Sequence, residues 1–299
     1  MTDAPETCEA LIREAARSIG GESPRLDAEL LLGHATGLTR TSFRAWPERQ
    51  PTPWVVAQFR SLVERRIKGE PVAHLLGEQE FWSLPLKVNP STLIPRPDTE
   101  CLVEAALALP LPTQATVLDL GTGTGAIALA LASERPDWTI HACDAEAQAV
   151  ALAGANAAAL GLSVKLFQSD WFSRLPPQSY HLIVSNPPYV AESDEHLGRG
   201  DVRFEPASAL ISGPDGLNDI RQILGEAPAR LEPGGWLLVE HGYNQGQAVR
   251  TLFTEAGFDY VETRQDYGQR DRFTLGCRNA CLNFCPNPGA DESNNQGAA

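Results

Sequence analysis

Thr116-Val117-Leu118-Asp119-Leu120-Gly121-Thr122-Gly123-Thr124-Gly125 is the stretch that decides the fold. An apolar run with strand character enters a turn with glycine at every second position, and Ala126–Ser133 follows as an apolar helix. Glycines let a backbone turn sharply and come close to a ligand, and a helix N-terminus favours an anionic group. The pattern is G-x-G-x-G, not the G-x-G-x-x-G of dinucleotide binders, and a tight βα turn without a ligand has the same look. Asp144 adds to it. This acid lies 19 residues beyond Gly125, at the end of the next strand, Thr139–Cys143. A carboxylate there is placed to accept both hydroxyls of a ribose. The same residue can cap a helix beginning at Ala145. No Walker lysine follows the glycines, which argues against NTP hydrolysis. A nucleoside cofactor with one small anionic group suits the pair. S-adenosyl-L-methionine, adenosine plus a methionine carboxylate, is such a ligand, with S-adenosyl-L-homocysteine as its product.

Outward from this unit the alternation continues. Helical spacing recurs over Ala145–Leu160, Leu217–Leu231 and Gln245–Ala256. Strand patterns occupy Val164–Gln168, Tyr180–Ser185 and Gly235–Glu240, with Tyr260–Arg264 and Arg272–Gly276 as a closing pair. Repeated βα units predict an α/β domain with a mostly parallel sheet over residues 97–276. Upstream, three apolar stripes separated by Gly20-Gly21, Gly37 and Gly69 predict a small α-helical bundle over 1–72. Residues 73–96, with Phe81, Trp82, Leu84, Leu86 and Val88 around Pro85, read as a β-hairpin linker. Residues 277–299 are rich in Pro, Asn and Gly and read as a disordered tail.

The second chemical motif is Asn186-Pro187-Pro188-Tyr189, directly after the apolar strand Tyr180–Ser185. Ligands bind at the carboxyl edge of open α/β sheets. Two prolines remove two N–H donors and leave carbonyls to accept, and Asn186 adds a side-chain carbonyl. Such a site holds an NH2 group between two acceptors. An amide nitrogen is a poor nucleophile because its lone pair is delocalised. Hydrogen bonds taken by Asn186 and the Pro187 carbonyl would steer that lone pair toward a donor methyl, so orientation supplies most of the rate and the proton leaves afterwards. Tyr189 can stack over a planar amide and face a sulfonium charge. A Pro-stiffened turn with a packed Tyr is the alternative.

The chain has 299 residues, 42% of them apolar, with a formal charge of −14. That length predicts about two domains. Residues 1–90 carry 12 acids and 11 bases, whereas residues 91–276 carry 24 acids and 12 bases. An acidic catalytic half argues against binding nucleic acid directly. No apolar run approaches the roughly 18 residues of a membrane span, and the acidic N-terminus has no apolar core of a secretory signal. A reduced, cytoplasmic monomer is expected. Six cysteines do not make a disulfide scaffold. Cys8, Cys101 and Cys143 read as small buried residues. Cys277, Cys281 and Cys285, spaced by four, lack the paired C-x-x-C zinc pattern. His34, His74, His141, His181, His196 and His241 form no metal-like cluster, so no metal site is predicted.

Taken together, these residues resemble the HemK/PrmC family, bacterial methyltransferases that modify the glutamine of peptide-chain release factors. The resemblance spans residues 8–276. It is carried also by Gly69-Glu70-Pro71-Val72-Ala73-His74-Leu75, Glu80-Phe81-Trp82, Leu93-Ile94-Pro95-Arg96-Pro97-Asp98-Thr99-Glu100, Asp170-Trp171-Phe172 and Gly200-Asp201-Val202-Arg203-Phe204-Glu205-Pro206. It implies a Rossmann-like class I S-adenosylmethionine-dependent methyltransferase domain after an N-terminal helical substrate-recognition domain. It implies methyl transfer to the side-chain amide of Gln in the Gly-Gly-Gln loop of class I release factors. By position it puts Gly121, Thr122, Gly123, Thr124, Gly125, Asp144 and Trp171 at the cofactor, with Trp171 at the adenine. Asn186 would touch both cofactor and substrate, and Pro187, Pro188 and Tyr189 would form the Gln pocket, with Asn186, Pro187 and Tyr189 carrying the chemistry. Arg96-Pro97 resembles a flap near the cofactor, and a domain-linking salt bridge from Arg96 is the other reading. Arg203, Phe204 and Glu205 would order the loop after the acceptor motif. Glu240-His241 stands near the same edge. The rivals are a glutamine methyltransferase of a large-subunit ribosomal protein and an exocyclic-amine methyltransferase of nucleic acid.

Overall fold

A computed structural model describes residues 6–198 and 200–279. The N-terminal stripes fold as α1 (Cys8–Ile19), α2 (Pro24–Thr36), α3 (Arg40–Ala45) and α4 (Pro53–Ile67). Threonine hydroxyls cap three of them. Thr7, Thr39 and Thr52 accept from the backbone N–H three residues on, satisfying donors that a helix start leaves open. Leu11, Ile12, Leu31, Leu32 and Phe59 close the apolar faces on one another and are almost wholly buried. The short helix α5 (Val72–Leu76) follows, where the sequence pattern suggested the beginning of a linker. Five residues are too few to show a helical period.

Strands β1 (Glu78–Phe81) and β2 (Leu84–Lys87) pair antiparallel through a two-residue turn. Trp82 and Ser83 in that turn have φ of 53° and 59°, the left-handed pair such tight hairpins require. Neither is glycine, and the strain is offset by anchoring. Trp82 N donates to Glu100 Oε1 at 2.8 Å and its indole N–H to Glu134 Oε1 at 2.9 Å. Phe81 and Leu86 enter the core beneath the main sheet.

After α6 (Glu100–Ala108) come β3 (Thr116–Leu120), α7 (Ala126–Glu134), β4 (Thr139–Asp144), α8 (Ala147–Leu160), β5 (Lys165–Gln168) and β6 (Tyr180–Ser185). The described residues continue with α9 (Asn218–Arg230), β7 (Leu231–Glu240), α10 (Gly246–Glu255), β8 (Phe258–Gln265) and β9 (Asp271–Arg278). Seven strands form one sheet in the order β5-β4-β3-β6-β7-β9-β8, parallel from β5 to β7, with β9 antiparallel to both neighbours. This is the α/β class expected, and the order reverses between β3 and β6. Side chains of the two sheet faces fill separate apolar clusters, one holding α6 and α7 and the other α9 and α10.

Three details differ from the sequence pattern. Helix α6 showed no stripe because Cys101, Leu102, Val103, Ala105 and Ala106 bury nearly its whole circumference. Helix α8 begins at Ala147 rather than Ala145, because the Asp144 side chain turns back to accept from Glu146 N at 3.0 Å. Cys277 is not part of a tail: it lies buried in β9 opposite Trp236. Cys281 and Cys285, and the tail expected over 280–299, fall outside the described residues.

The helical bundle is fastened to the loop that follows β6. Arg66 at the end of α4 binds Asp27 of α2 at 2.8 Å and Asp201 of that loop at 2.7 Å. Arg203 donates to the Lys68 carbonyl at 2.8 Å. Gly69 permits this approach, since a Cβ there would lie 1.7 Å from the Arg203 guanidinium. Arg66→Ala leaves two carboxylates facing each other in a partly buried site. The expected loss is about 1–2 kcal/mol, between the exposed and buried limits for such pairs. Urea unfolding checks this, and an unchanged midpoint would remove the clasp from the stability of the fold.

Candidate active site

The strand-order reversal sets β3 and β6 side by side with their following loops leaving in opposite directions. Ser185 Oγ donates to the Leu120 carbonyl at 2.8 Å, so the two strand ends are locked together where the Gly-rich turn and the Asn-Pro-Pro-Tyr motif begin. A cleft partly open to solvent lies over this junction.

The floor of the cleft is the Gly-rich turn. Gly121, Gly123 and Gly125 have φ of 69°, 55° and 87°, the left-handed region that glycine alone adopts without strain. Gly121 and Gly123 line the cleft. Thr122 and Thr124 line a smaller cavity beside it, shared with Asn186 and Arg96. Gly125 lines neither. It starts α7, and a Cβ there would crowd Leu129 and Ala153 at 3.0 and 3.2 Å. Beneath the turn, fully buried Asp119 accepts from Thr122 Oγ1 at 2.6 Å and from Ala128 N at 3.2 Å. It therefore ties the turn to the helix that follows.

Asp144 lines the cleft from the end of β4. Its Oδ2 accepts from Gly123 N at 2.9 Å and its Oδ1 from Glu146 N at 3.0 Å. It is a cross-strut between turn and strand rather than the N-cap of α8. Each carboxylate oxygen keeps lone-pair capacity for a further donor. Burial raises its pKa, and these backbone N–H bonds oppose the rise. Trp171 forms the opposite wall. Its φ is 42°, and its carbonyl accepts from Ser169 Oγ at 2.8 Å, which holds the left-handed turn. A Cβ on Gly121 would stand 3.4 Å from the Trp171 ring, so glycine leaves the indole its place.

The last side is the acceptor motif. Asn186 and Pro188 line the cleft, whereas buried Pro187 and half-buried Tyr189 lie outside both cavities. Asn186 Nδ2 donates to Thr99 Oγ1 at 3.3 Å, and its Oδ1 is buried with no partner among the described residues. Thr92 Oγ1, also on the cleft wall, is likewise buried without a partner. Tyr189 OH donates to Glu240 Oε1 at 3.3 Å, and Gln245 Nε2 donates to the Tyr189 carbonyl at 3.0 Å. Burial, with the Glu240 carboxylate beside it, holds the Tyr189 phenol protonated far above its ordinary range.

The Arg96 segment is held from across the cleft. Glu205, its side chain wholly buried, accepts from Ile94 N at 2.9 Å and from Arg96 at 2.6 Å. Leu93 and Ala209, which flank these contacts in sequence, both line the cleft. The Arg96 pair therefore joins two walls of the site, and Glu205 orders its loop as the sequence suggested. His241 is buried, bonded to Thr274 Oγ1 and the Gly242 carbonyl, and lines neither cavity. Cys143 is buried, its thiol pushed up to about 12 by desolvation, so it is no nucleophile. Cys8 and Cys101 are buried as expected. Asp119 and Thr99 belong to the site although the residue pattern assigned them no role; both lay inside quoted motifs. Glu240, read beside His241 as a candidate contact at the cofactor edge, lines neither cavity and instead takes the Tyr189 hydroxyl.

Known proteins with the same pattern fix the family. A PrmC N-terminal domain model matches residues 10–77 and a methyltransferase small domain model matches residues 98–210. The release factor glutamine methyltransferase of Escherichia coli K12 is 55% identical over 89% of this chain and 96% of its own. That of Pseudomonas aeruginosa is 57% identical over 85% of this chain and 92% of its own. The chain belongs to the release factor glutamine methyltransferase family. The hMettl16 catalytic domain superposes with a TM-score of 0.58 at 19% identity, covering 71% of this chain and 82% of that one. A methyltransferase of Pyrococcus furiosus superposes with a TM-score of 0.51 at 16% identity, over 66% of this chain and 90% of that one. These two share the fold. Members of the family transfer methyl groups, and none of the described helices is long and apolar enough to cross a membrane.

Burial pushes Asp119 up to about 7, against hydrogen bonds from Thr122 and Ala128 that favour its charge. An unfolded Asp ionises near pH 4, so between about pH 4 and about pH 7 the native state holds a proton that the unfolded chain has lost. Stability from this group therefore falls as pH rises through that window. Asp119→Asn should flatten the fall, seen as urea midpoints that change less from about pH 5 to about pH 8 than in the wild type. Parallel pH dependences would contradict the buried acid.

Proposed function

We propose that this chain methylates the side-chain amide nitrogen of the glutamine in the Gly-Gly-Gln loop of class I peptide-chain release factors, using S-adenosyl-L-methionine. The observation that carries this is Asn186 Oδ1, a buried acceptor without a partner among the described residues, on the wall of a cleft that Asp144 and the Gly-rich turn complete. A buried acceptor left open is costly unless a donor arrives, and a primary amide brings two N–H groups.

The cleft suits an adenosyl ligand. Asp144 faces it with acceptor capacity remaining, the glycines leave no Cβ in the way, and Trp171 offers a flat apolar wall. Thr92 Oγ1 adds a second unpartnered polar atom. Asp144 would accept from ribose hydroxyls, Gly121–Gly125 would admit the amino-acid end near the start of α7, and Trp171 would lie along the adenine. When bound, the cofactor supplies an electrophilic methyl on a sulfonium.

The protein's own part is orientation. Asn186 Oδ1 and the Pro187 carbonyl would each accept a hydrogen bond from one amide N–H, which turns the nitrogen lone pair out of conjugation and toward the donor. No base is needed before attack, because the proton leaves once nitrogen carries the new bond. Holding the reactants so can supply several kcal/mol of the barrier. Pro188 closes the pocket, and Tyr189, anchored through Glu240 and Gln245, stiffens the motif from behind. The chain acts as a cytoplasmic monomer on protein rather than on nucleic acid, in keeping with 24 acids against 12 bases over residues 91–276.

Labelled methyl transfer to a purified release factor tests the reading. Label should appear on the wild-type factor and vanish when its Gly-Gly-Gln glutamine is replaced by alanine. Transfer to a ribosomal protein or a nucleic acid in its place would overturn it. Asn186→Ala should abolish transfer while S-adenosylhomocysteine binding persists. Asp144→Ala should weaken that binding by calorimetry, and an unchanged affinity would remove Asp144 from the site.

A further inference from the structure

Strands β6 and β7 run parallel with Ser185 beside Val239, and β9 runs antiparallel to β7 with Phe273 beside Glu240. The loop after β6, the loop after β7 and the turn before β9 therefore leave the sheet at one edge. The first carries the acceptor motif. The other two carry Tyr243 and Tyr267, whose side chains stand out into solvent at 62% and 70% exposure.

Both rings are held in place. The Tyr267 hydroxyl donates to Glu104 Oε2 of α6 at 3.0 Å. The turn that carries it is closed by Asp266, which accepts from Arg270 N at 3.1 Å and from the Arg272 guanidinium at 2.9 Å. The Arg270 guanidinium stands 6.0 Å from the centre of the Tyr243 ring, so the two loops meet. On the other side, Gly242 N donates to Gln245 Oε1 at 2.7 Å, and Gln245 Nε2 donates to the Tyr189 carbonyl at 3.0 Å. One glutamine side chain thus bolts the Tyr243 loop to the acceptor motif.

We propose, on the substrate reading above, that Tyr243 and Tyr267 form the docking surface for the release-factor chain that flanks the target glutamine.

The order of the strands decides the direction of approach. A glutamine that reaches Asn186 brings its own backbone to the mouth of the pocket, and the residues beside it must lie on something. Toward β3, β4 and β5 the edge is taken by the cleft, with the Gly-rich turn, Asp144 and Trp171. Toward β7 and β9 the edge carries the two tyrosines, and no residue of 231–278 lines the cleft. The flanking chain therefore passes over the tyrosines without crossing the cofactor's place. The two glycines before the target glutamine have no side chains, so their peptide groups can lie directly on a ring face. Tyrosine anchors protein contacts because it offers a large flat area with few torsions to freeze. Here the rings are already fixed by Glu104 and Arg270, which lowers the ordering cost of binding. The same two residues border the rings with charge of both signs, as at the polar rim of a protein interface.

The test is steady-state methyl transfer to purified release factor by the full chain carrying Tyr243→Ala, Tyr267→Ala, both together, or Tyr243→Phe. Each alanine should raise the KM for release factor by about tenfold, the scale of one interface anchor. The kcat should stay unchanged, because the binding lost is common to ground and transition states. Calorimetric affinity for S-adenosylhomocysteine and the urea midpoint should stay near wild type, as controls for the site and the fold. Tyr243→Phe keeps the ring and should keep a KM near wild type. A wild-type KM in both single variants and in the double variant would overturn the docking surface and leave the substrate reading intact. A fall in kcat or in cofactor affinity without a raised KM would also overturn it, because the tyrosines would then act on the structure of the site. A KM raised as far by Tyr243→Phe as by Tyr243→Ala would overturn packing on the ring. Wild-type protein that transfers no label to release factor would instead overturn the substrate reading beneath it.

Discussion

Strand β3 lies between β4 and β6, and the chain leaves it on one side to build β4 and β5 before returning on the other to build β6. That reversal is the constraint on which the site depends. Two parallel strands end side by side while their loops diverge, so a crevice opens at their carboxyl ends. The bond from Ser185 Oγ to the Leu120 carbonyl keeps the ends in register. The Gly-rich turn and the acceptor motif are therefore neighbours in space although more than sixty residues separate them in sequence. No helix of either layer needs to move for the two half-sites to face one cleft.

Around that crevice the protein buries three acids that a stability argument alone would replace. Asp119, Glu205 and Glu240 all sit in desolvated places where burial pushes their pKa values up. Each holds a loop rather than a core. Asp119 joins the Gly-rich turn to α7, Glu205 joins the segment at Ile94 to the loop after β6, and Glu240 reaches the acceptor motif. A carboxylate can collect several N–H and O–H donors from different segments, which an apolar side chain cannot do. Desolvation makes each acid expensive, and the donors it gathers give the loops a single arrangement.

The helical bundle enters the same scheme from outside. Arg66 and the carbonyl of Lys68 hold Asp201 and Arg203 at the start of the loop whose Glu205 grips Arg96. The bundle is thus connected, through side chains in direct contact, to the wall that carries Leu93 and Ala209. A protein substrate seated on the bundle would press on a loop that already touches the cleft. The acidity of residues 91–276 fits a cationic donor and a basic partner better than a polyanion.

The alternation of strands and helices, the Gly-rich turn, the acid ending β4 and the Asn-Pro-Pro-Tyr motif were all legible in the sequence. Each is a local pattern, governed by period, turn chemistry or a few adjacent side chains. The helix α6 was not legible, because a segment buried all round shows no polar face to mark its period. Nor was the place of Cys277, because only pairing with Trp236 makes a strand of a stretch that reads as a tail. Local sequence dictates the available chemistry: acceptors without competing donors beside a turn made for close approach. Folding selects which atoms use it. It left Asn186 Oδ1 open, turned Asp144 back onto Gly123, and joined Tyr189 to Glu240 across 51 positions of chain. Hydrogen-bond direction inside a protein is set by whichever buried partner can only accept, and that partner is brought in by folding from far along the chain.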